Sequence, residues 1–361
     1  MRHRERLDAI LAEHELEAIW LAEPASFEWV TGGSNVIVDT DPVGVAAVGY
    51  DGDEFEVLTA NNEVDRVREE DVPGEVSVHS FEWHEHSLAE AVADRSPMPA
   101  GADFPVPGLE SIDVSAYRQP LTDEDIESYR ALGEETAAGL QSVCRELTAE
   151  TTEKAVAAAL RTEFAERGIA APVVLVAGGD RAQRHRHFTP TDTALGEYAL
   201  VTMVTERGGQ YASITRTVAF DPPAWLEERH DAAARVHSTT LAATREVGAE
   251  GGSAGDVFAT IQSAYDAVGY PDEWRLHHQG GAAGYATREW VATPDGTNEV
   301  TLQMAYAWNP TVQGGKCEDT FFVTEDGFEN LTSDGSWPTS SAEAIGYDIA
   351  IPQHDILDRS E

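Results

Sequence analysis

Two strand-like runs, Tyr198–Thr205 and Tyr211–Phe220, flank the tripeptide Arg207-Gly208-Gly209. The glycines supply the backbone freedom of a tight reversal, and the runs are strand-like in composition, so this stretch is predicted to be a β-hairpin. Around it the apolar spacing is helical. Thr122-Asp123-Glu124-Asp125 opens a long helix with a capping residue and acids in the first turn, where the dipole favours them. Its apolar positions run through Ile126, Tyr129, Leu132, Leu140 and Leu147. A second helix follows Thr151-Thr152-Glu153 and ends near Gly168. Pro172–Val176 reads as a buried strand, and Leu226–Arg245 and Ser253–Val268 as two further helices. Short strands then alternate with loops to about residue 332.

The N-terminal third has a different rhythm. Residues 6–20 form an amphipathic helical pattern. Ala18–Leu21, Val36-Ile37-Val38 and Gly44–Tyr50 are strand-like, and Asp51-Gly52 is a turn leading into Phe55–Leu58. Asn61–Glu70 and Ser87–Ala93 read as helices. The proline- and glycine-rich stretch Pro97–Pro120 reads as loop and linker. The expected organisation is an α/β domain over residues 1–118, a second domain over 119–335, and a polar C-terminal tail over 336–361, poorly ordered or packed on the surface.

Charge narrows the function classes. Lys plus Arg is 24 and Asp plus Glu is 65, a net charge of −41. Phosphate backbones and anionic lipid surfaces are repelled by such a chain, which argues against nucleic acid or membrane partners. The acid is spread along the whole chain, the pattern of a solvated halophilic surface that screening by salt would stabilise. No apolar run has the length of a membrane span, and no apolar segment follows the basic Met1–Arg6 start, so a cytoplasmic protein is expected. Cys144 and Cys317 do not make a disulfide framework; Cys317 lies in an apolar neighbourhood and reads as a buried thiol.

Polar motifs crowd between His185 and Thr324. They include Arg186-His187-Phe188-Thr189-Pro190-Thr191-Asp192, Ser213-Ile214-Thr215-Arg216-Thr217 and Leu276-His277-His278-Gln279-Gly280-Gly281. Three more follow: Arg288-Glu289, Asn309-Pro310, and Lys316-Cys317-Glu318-Asp319 leading to Val323-Thr324-Glu325-Asp326-Gly327. With the element order, these motifs resemble the creatinase, aminopeptidase P and methionine aminopeptidase superfamily. The resemblance implies an α/β (α+β) pita-bread catalytic domain preceded by a smaller creatinase-like N-terminal α/β domain. It also implies a peptide or small-molecule substrate and a homodimer.

Carried over residue by residue, the resemblance places His187 at the family's proton-shuttling or substrate-binding histidine. The two acids of the family's hairpin fall on Thr202 and Ser213. In a hairpin turning at Arg207-Gly208 these two would be cross-strand neighbours with Cβ atoms ~5 Å apart. The family's metal-binding histidine falls on Gly281, its fourth ligand on Asn309 and its fifth on Glu318. Only Glu318 keeps a ligand of the family's kind, and hydroxyls do not supply the charge that hard divalent cations favour. No metal cofactor is therefore expected.

The expectation is a metal-independent hydrolase or lyase of a small carboxylate-bearing amide or amidine. His187 and Glu318 would do the acid–base work, with the Glu318 carboxyl raised by burial. Arg288, Lys316 and Arg216 would clamp a substrate carboxylate. His277, His278 and Asn309 would line the binding site. Two alternatives stand beside it. One is a non-catalytic binder using the old cleft. The other is an Xaa-Pro-type metalloaminopeptidase holding metal through His277, His278, Glu289 and Glu318.

Overall fold

The computed structural model describes residues 1–38 and 41–360 and divides into two units, Met1–Gln119 and Pro120–Glu361. In the first, β1 (Ala18–Leu21), β2 (Ala46–Tyr50), β3 (Phe55–Ala60), β4 (Ser77–Phe81), β5 (Ala100–Ala102) and β6 (Glu110–Ser111) form one sheet. Its order is β4-β3-β2-β1-β5-β6. β1 and β2 are buried along their whole length, and Trp20, Ala47, Leu58, Val92 and Phe104 pack into one core cluster. The Asp51-Gly52 turn is fixed by the Asp51 carboxylate, which accepts from the backbone N–H groups of Asp53 and Glu54.

Three expectations fail in this unit. The first helix, Arg4–Glu13, is shorter than the pattern over 6–20 suggested. Val36-Ile37-Val38 is not a strand; Ile37 and Val38 are half exposed. The chain is held there by the Asn35 amide, which donates to the carbonyls of Ala22 and Ala46 and leaves no ladder for a strand. Pro97–Pro120 is not a linker, since β5 pairs in parallel with β1 and β6 with β5. Small residues make this edge pass for loop in the sequence. Packing demands them: a Cβ on Gly101 would lie 2.6 Å from Ile112.

In the second unit, β7 (Ala170–Gly178), β8 (Tyr198–Arg207) and β9 (Gln210–Ala219) form a sheet with β18 (Leu357–Asp358), in the order β18-β9-β8-β7. A second sheet is ordered β10-β11-β14-β15, from β10 (Gly280–Ala283), β11 (Met304–Trp308), β14 (Asp319–Val323) and β15 (Phe328–Asn330). Two short ribbons complete it, β12 (Thr311–Val312) with β13 (Gly315–Lys316), and β16 (Thr339–Glu343) with β17 (Ala350–His354). The helices are Asp123–Arg145, Glu153–Ala165, Leu226–Glu250 and Ala254–Ala267, with the short Gly179–Arg184 between β7 and β8. Thr122 with Asp125, and Ser253 with Asp256, form reciprocal caps that satisfy first-turn N–H groups.

The predicted hairpin is present. Gly208 and Gly209 have φ of 60° and 80°, the two positive values a two-residue reversal needs, and Arg207 pairs with Gln210. The two sheets are joined beside it. The N–H of Thr215 donates to the Glu318 carbonyl at 2.9 Å, and that of Ser213 to Thr320 Oγ1 at 2.9 Å. This seam puts the hairpin motif against the Lys316–Asp319 motif.

Two further expectations are corrected. β7 is buried on one face only; Val173 and Leu175 on the other face line a cavity. The stretch 336–361 is not a loose tail. β18 pairs in parallel with β9, and Ile351, Gln353 and His354 are buried. Its polarity is misleading because its buried polar groups have dedicated partners: Gln353 donates to Ser238 at 3.0 Å and His354 Nδ1 meets Asp319 at 3.0 Å. No helix among the described residues is long and apolar enough to cross a membrane.

Candidate functional site

A cavity of about 380 Å³ opens in the second unit at the seam between the sheets. Thr202 and Val204 of β8 line it, together with Val173 and Leu175 of β7. Arg186 and His187 enter from the segment after the short helix, and His277 and His278 from the turn before β10. Thr287, Arg288 and Val291, then Asn309, Lys316 and Glu318, close the wall. Motifs distant in sequence converge because the β9–β14 seam and the β10–β11 pairing bring their ends to one place.

Glu318 is the hub. Its Oε1 meets Arg288 Nη2 at 3.2 Å; its Oε2 meets Lys316 Nζ at 3.2 Å and accepts from the Thr215 hydroxyl at 2.8 Å. All three charged side chains are nearly buried. Arg288 Nη1 also donates to Ser213 Oγ at 2.9 Å. Burial alone would raise the Glu318 carboxyl, but Lys316, Arg288 and Thr215 outweigh it, and the group is held below the usual carboxylate range. The expectation of a raised Glu318 is thus overturned: two cations stabilise its charged form. Burial pushes the Lys316 ammonium down, against the pull of Glu318.

The histidines form a second cluster on the same cavity. His187 Nε2 and His277 Nε2 are 3.2 Å apart. His277 and His278 stack with ring centroids 4.5 Å apart. Burial, then Lys316, pushes the His277 imidazolium well down; burial, Arg288 and Lys316 bring His278 down to about 4. Both rings are neutral at pH 7. Asn309 is buried, and its Oδ1 meets no hydrogen-bond partner among the described residues.

The site differs from the one expected in the placement of several residues. Arg216 is not a clamp: it is buried facing away, donating to Asp319 at 2.9 Å and to the Thr332 carbonyl. Neighbours on a strand point to opposite faces, so when Thr215 faces Glu318, Arg216 cannot. Thr202 lies opposite Thr215, not Ser213, and Ser213 lies opposite Val204. The turn at Gly208-Gly209 closes one residue later than assumed, which moves each partner by two. Gly281 does not reach the cavity; the Trp290 carbonyl would stand 2.0 Å from a Cβ there. Glu289 is likewise turned to Tyr285, whose N–H its carboxylate accepts at 2.8 Å. Cys317 is fully buried, as its apolar neighbourhood implied, and burial raises its thiol well above the ordinary range. Thr215 is a site residue that the motifs alone did not single out. It bonds Thr202 at 2.7 Å as well as Glu318. Counting from the correct closing pair, Arg207 with Gln210, would have found it.

The family model for "Metallopeptidase family M24" matches residues 127–325, more than half of the chain. The chain belongs to this metallopeptidase family. Among solved structures, it is similar to the prolidase of Pyrococcus horikoshii OT3 at 15% identity and a TM-score of 0.75, over 95% of this chain and 99% of that one. The Pyrococcus furiosus prolidase gives 19% and 0.72, over 90% and 98%. The Xaa-Pro dipeptidase of Bacillus anthracis gives 17% and 0.72, over 95% and 98%. No curated protein matches. At these identities the likeness establishes the fold: the pita-bread architecture of the M24 family with its N-terminal domain, as the motifs implied.

Proposed function

We propose that this M24-family chain is a metal-independent hydrolase or lyase acting on a small carboxylate-bearing amide or amidine. The observation that carries the reading is the fork of Arg288, which donates to Ser213 and to Glu318 while Lys316 holds the other oxygen of Glu318. By the resemblance, Ser213 and Glu318 stand where two metal ligands of the family would stand. Side-chain cations take the place of metal charge.

The donor set does not fit the family's pair of divalent ions. Thr202 and Ser213 offer hydroxyls, Asn309 an amide and Gly281 nothing, while the carboxylate of Glu318 already faces two cations. A further double charge there would meet a guanidinium and an ammonium within a few ångströms, and among the described residues no second carboxylate lines the cavity to offset it.

On this reading, Arg288 and Lys316 present N–H donors to the cavity and hold a substrate carboxylate or polarise a carbonyl oxygen. Asn309 Oδ1 is free to accept from a substrate N–H. His187 takes a proton from water as it attacks the carbonyl or amidine carbon, and returns it to the departing nitrogen. Glu318 is a positioning residue that fixes the two cations, since a carboxylate so stabilised is a weak base. The test is hydrolysis of N-acyl amino acids and amidino acids by chelator-treated protein. Turnover is expected to persist with chelator, to vanish in His187→Ala, and to fall ~10–100-fold in Lys316→Met, the worth of one charged hydrogen bond. Turnover strictly dependent on Mn²⁺ or Co²⁺ would overturn it.

The engagement of Glu318 with both cations favours a second reading, a non-catalytic binder of a small carboxylate. Thermal stabilisation by such ligands, without turnover of any of them, would support that reading instead.

A further inference from the structure

We infer that His187, His277 and His278 form a mononuclear site for a borderline divalent transition-metal ion such as Zn²⁺, apart from the positions where the family's metal ligands fall. One ring nitrogen from each lies within 4.8 Å of the others, and among the described residues no other group of three such ligands is brought together. The 3.2 Å between His187 Nε2 and His277 Nε2 is close to the ~3.3 Å edge expected for two imidazoles on a tetrahedral ion with bonds of about 2.0–2.1 Å. Two of the three ligand positions are thus at coordination spacing. His278 lines the cavity with part of its side chain exposed, and a turn of its ring closes the remaining distance.

The chemistry of the cluster selects the ion. All three donors are imidazole nitrogens, a set that suits zinc, copper or nickel over magnesium, calcium or manganese. No carboxylate belongs to the cluster, so ion pairing does not explain why three rings converge with centroids 4.5 to 5.8 Å apart. Three protein ligands leave a fourth position for water or a ligand anion. Lys316 and Arg288 line the same cavity and oppose a cation, but each is tied to Glu318. Arg186 is tied to Glu273. Their remaining positive field draws an anion to the ion's open side, so the site takes a metal ion together with a small carboxylate.

This inference stands apart from the proposed reaction. Should His187 carry the proton there, an ion on that ring blocks it, and Zn²⁺ acts as an inhibitor. The test uses the full chain, stripped with chelator, dialysed and free of substrate. It is titrated with Co²⁺ by visible absorption and with Zn²⁺ by calorimetry. One ion per chain is expected, with the intense bands of four-coordinate Co²⁺, displaced by Zn²⁺. Affinity is expected to fall at least tenfold in His277→Ala and in His278→Ala, and to hold in a His84→Ala/His86→Ala double variant on the exposed pair of the first unit. No stoichiometric binding overturns the inference. So does binding that survives both cavity variants. Because no substrate is present, failure of the acid–base reading shows separately, as absent turnover.

Discussion

Arg288 and Glu318 meet at 3.2 Å in a nearly dry corner of the cavity, and the same guanidinium reaches Ser213 at 2.9 Å. Lys316 completes a triad carrying two positive charges and one negative. Such a group is held together by Coulomb attraction that just offsets the cost of taking the charges out of water. Its geometry therefore depends on every member.

Glu318→Gln is expected to be the most damaging single change in this corner. It leaves two buried cations without a counter-charge, and unfolding free energy should fall by roughly 3–5 kcal/mol. Arg288→Met together with Glu318→Gln should recover part of that loss. Urea denaturation of the single and double variants measures both effects, and a loss under about 1 kcal/mol for the single variant would mean that the triad is solvated.

Gly281 gives a prediction about restoring the family's ligands. A Cβ there would lie 2.0 Å from the Trp290 carbonyl oxygen, which is backbone and cannot swing away. Gly281→Ala should cost upward of ~1–3 kcal/mol, and Gly281→His should not create Mn²⁺ affinity. Thermal melts and metal titration of the two variants check this; a stable, Mn²⁺-binding Gly281→His protein would show that the turn yields.

Stability should fall with acid in two stages. Burial brings His237 down to about 4 from its ordinary 6.5. The unfolded chain therefore binds this proton first, and stability that is complete above pH 6.5 declines as pH falls towards 4, by ~1.4 kcal/mol per pH unit for one such histidine. Asp319 is buried, yet Arg216 and His354 bring its carboxyl down to about 2. Its contribution is present above pH ~4 and is lost as pH falls towards 2. His237→Phe, which keeps a ring beside Phe321, should make the first stage shallower by up to ~1.4 kcal/mol per pH unit and leave the second, because burial also brings His278 and His354 down to about 4. Denaturation midpoints taken from pH 7 to pH 2 would show it, and an unchanged slope between pH 6.5 and 4 would count against a neutral buried His237.

Salt should stabilise the whole chain. With a net charge of −41, self-repulsion is unscreened at low ionic strength, where the Debye length is ~30 Å at 0.01 M and ~3 Å at 1 M. The melting temperature is expected to rise steadily from millimolar to molar KCl. A flat profile would remove the halophilic reading of this surface.

Much of the fold was legible in the amino-acid sequence because it rests on local rules. Thr122 with Asp125 marks a helix start, Gly208-Gly209 a reversal, and the apolar spacing of Asp123–Arg145 a buried helical face. Sequence alone also determined the order of the polar motifs and hence the family resemblance. The tertiary structure decided what local rules cannot reach. A turn that closes one residue later, shifting each partner by two, separates a Thr202–Ser213 pair from the observed Thr202–Thr215 pair, while strand alternation hides Arg216 and presents Thr215. The polar stretch after Trp337 joins the fold because Asp319 and Ser238 satisfy His354 and Gln353 from afar. The charge state of Glu318 follows from Arg288 and Lys316 arriving together, and the three histidines meet through chain segments ninety residues apart. These are long-range contacts, and their energies exist only once the two sheets have closed on each other.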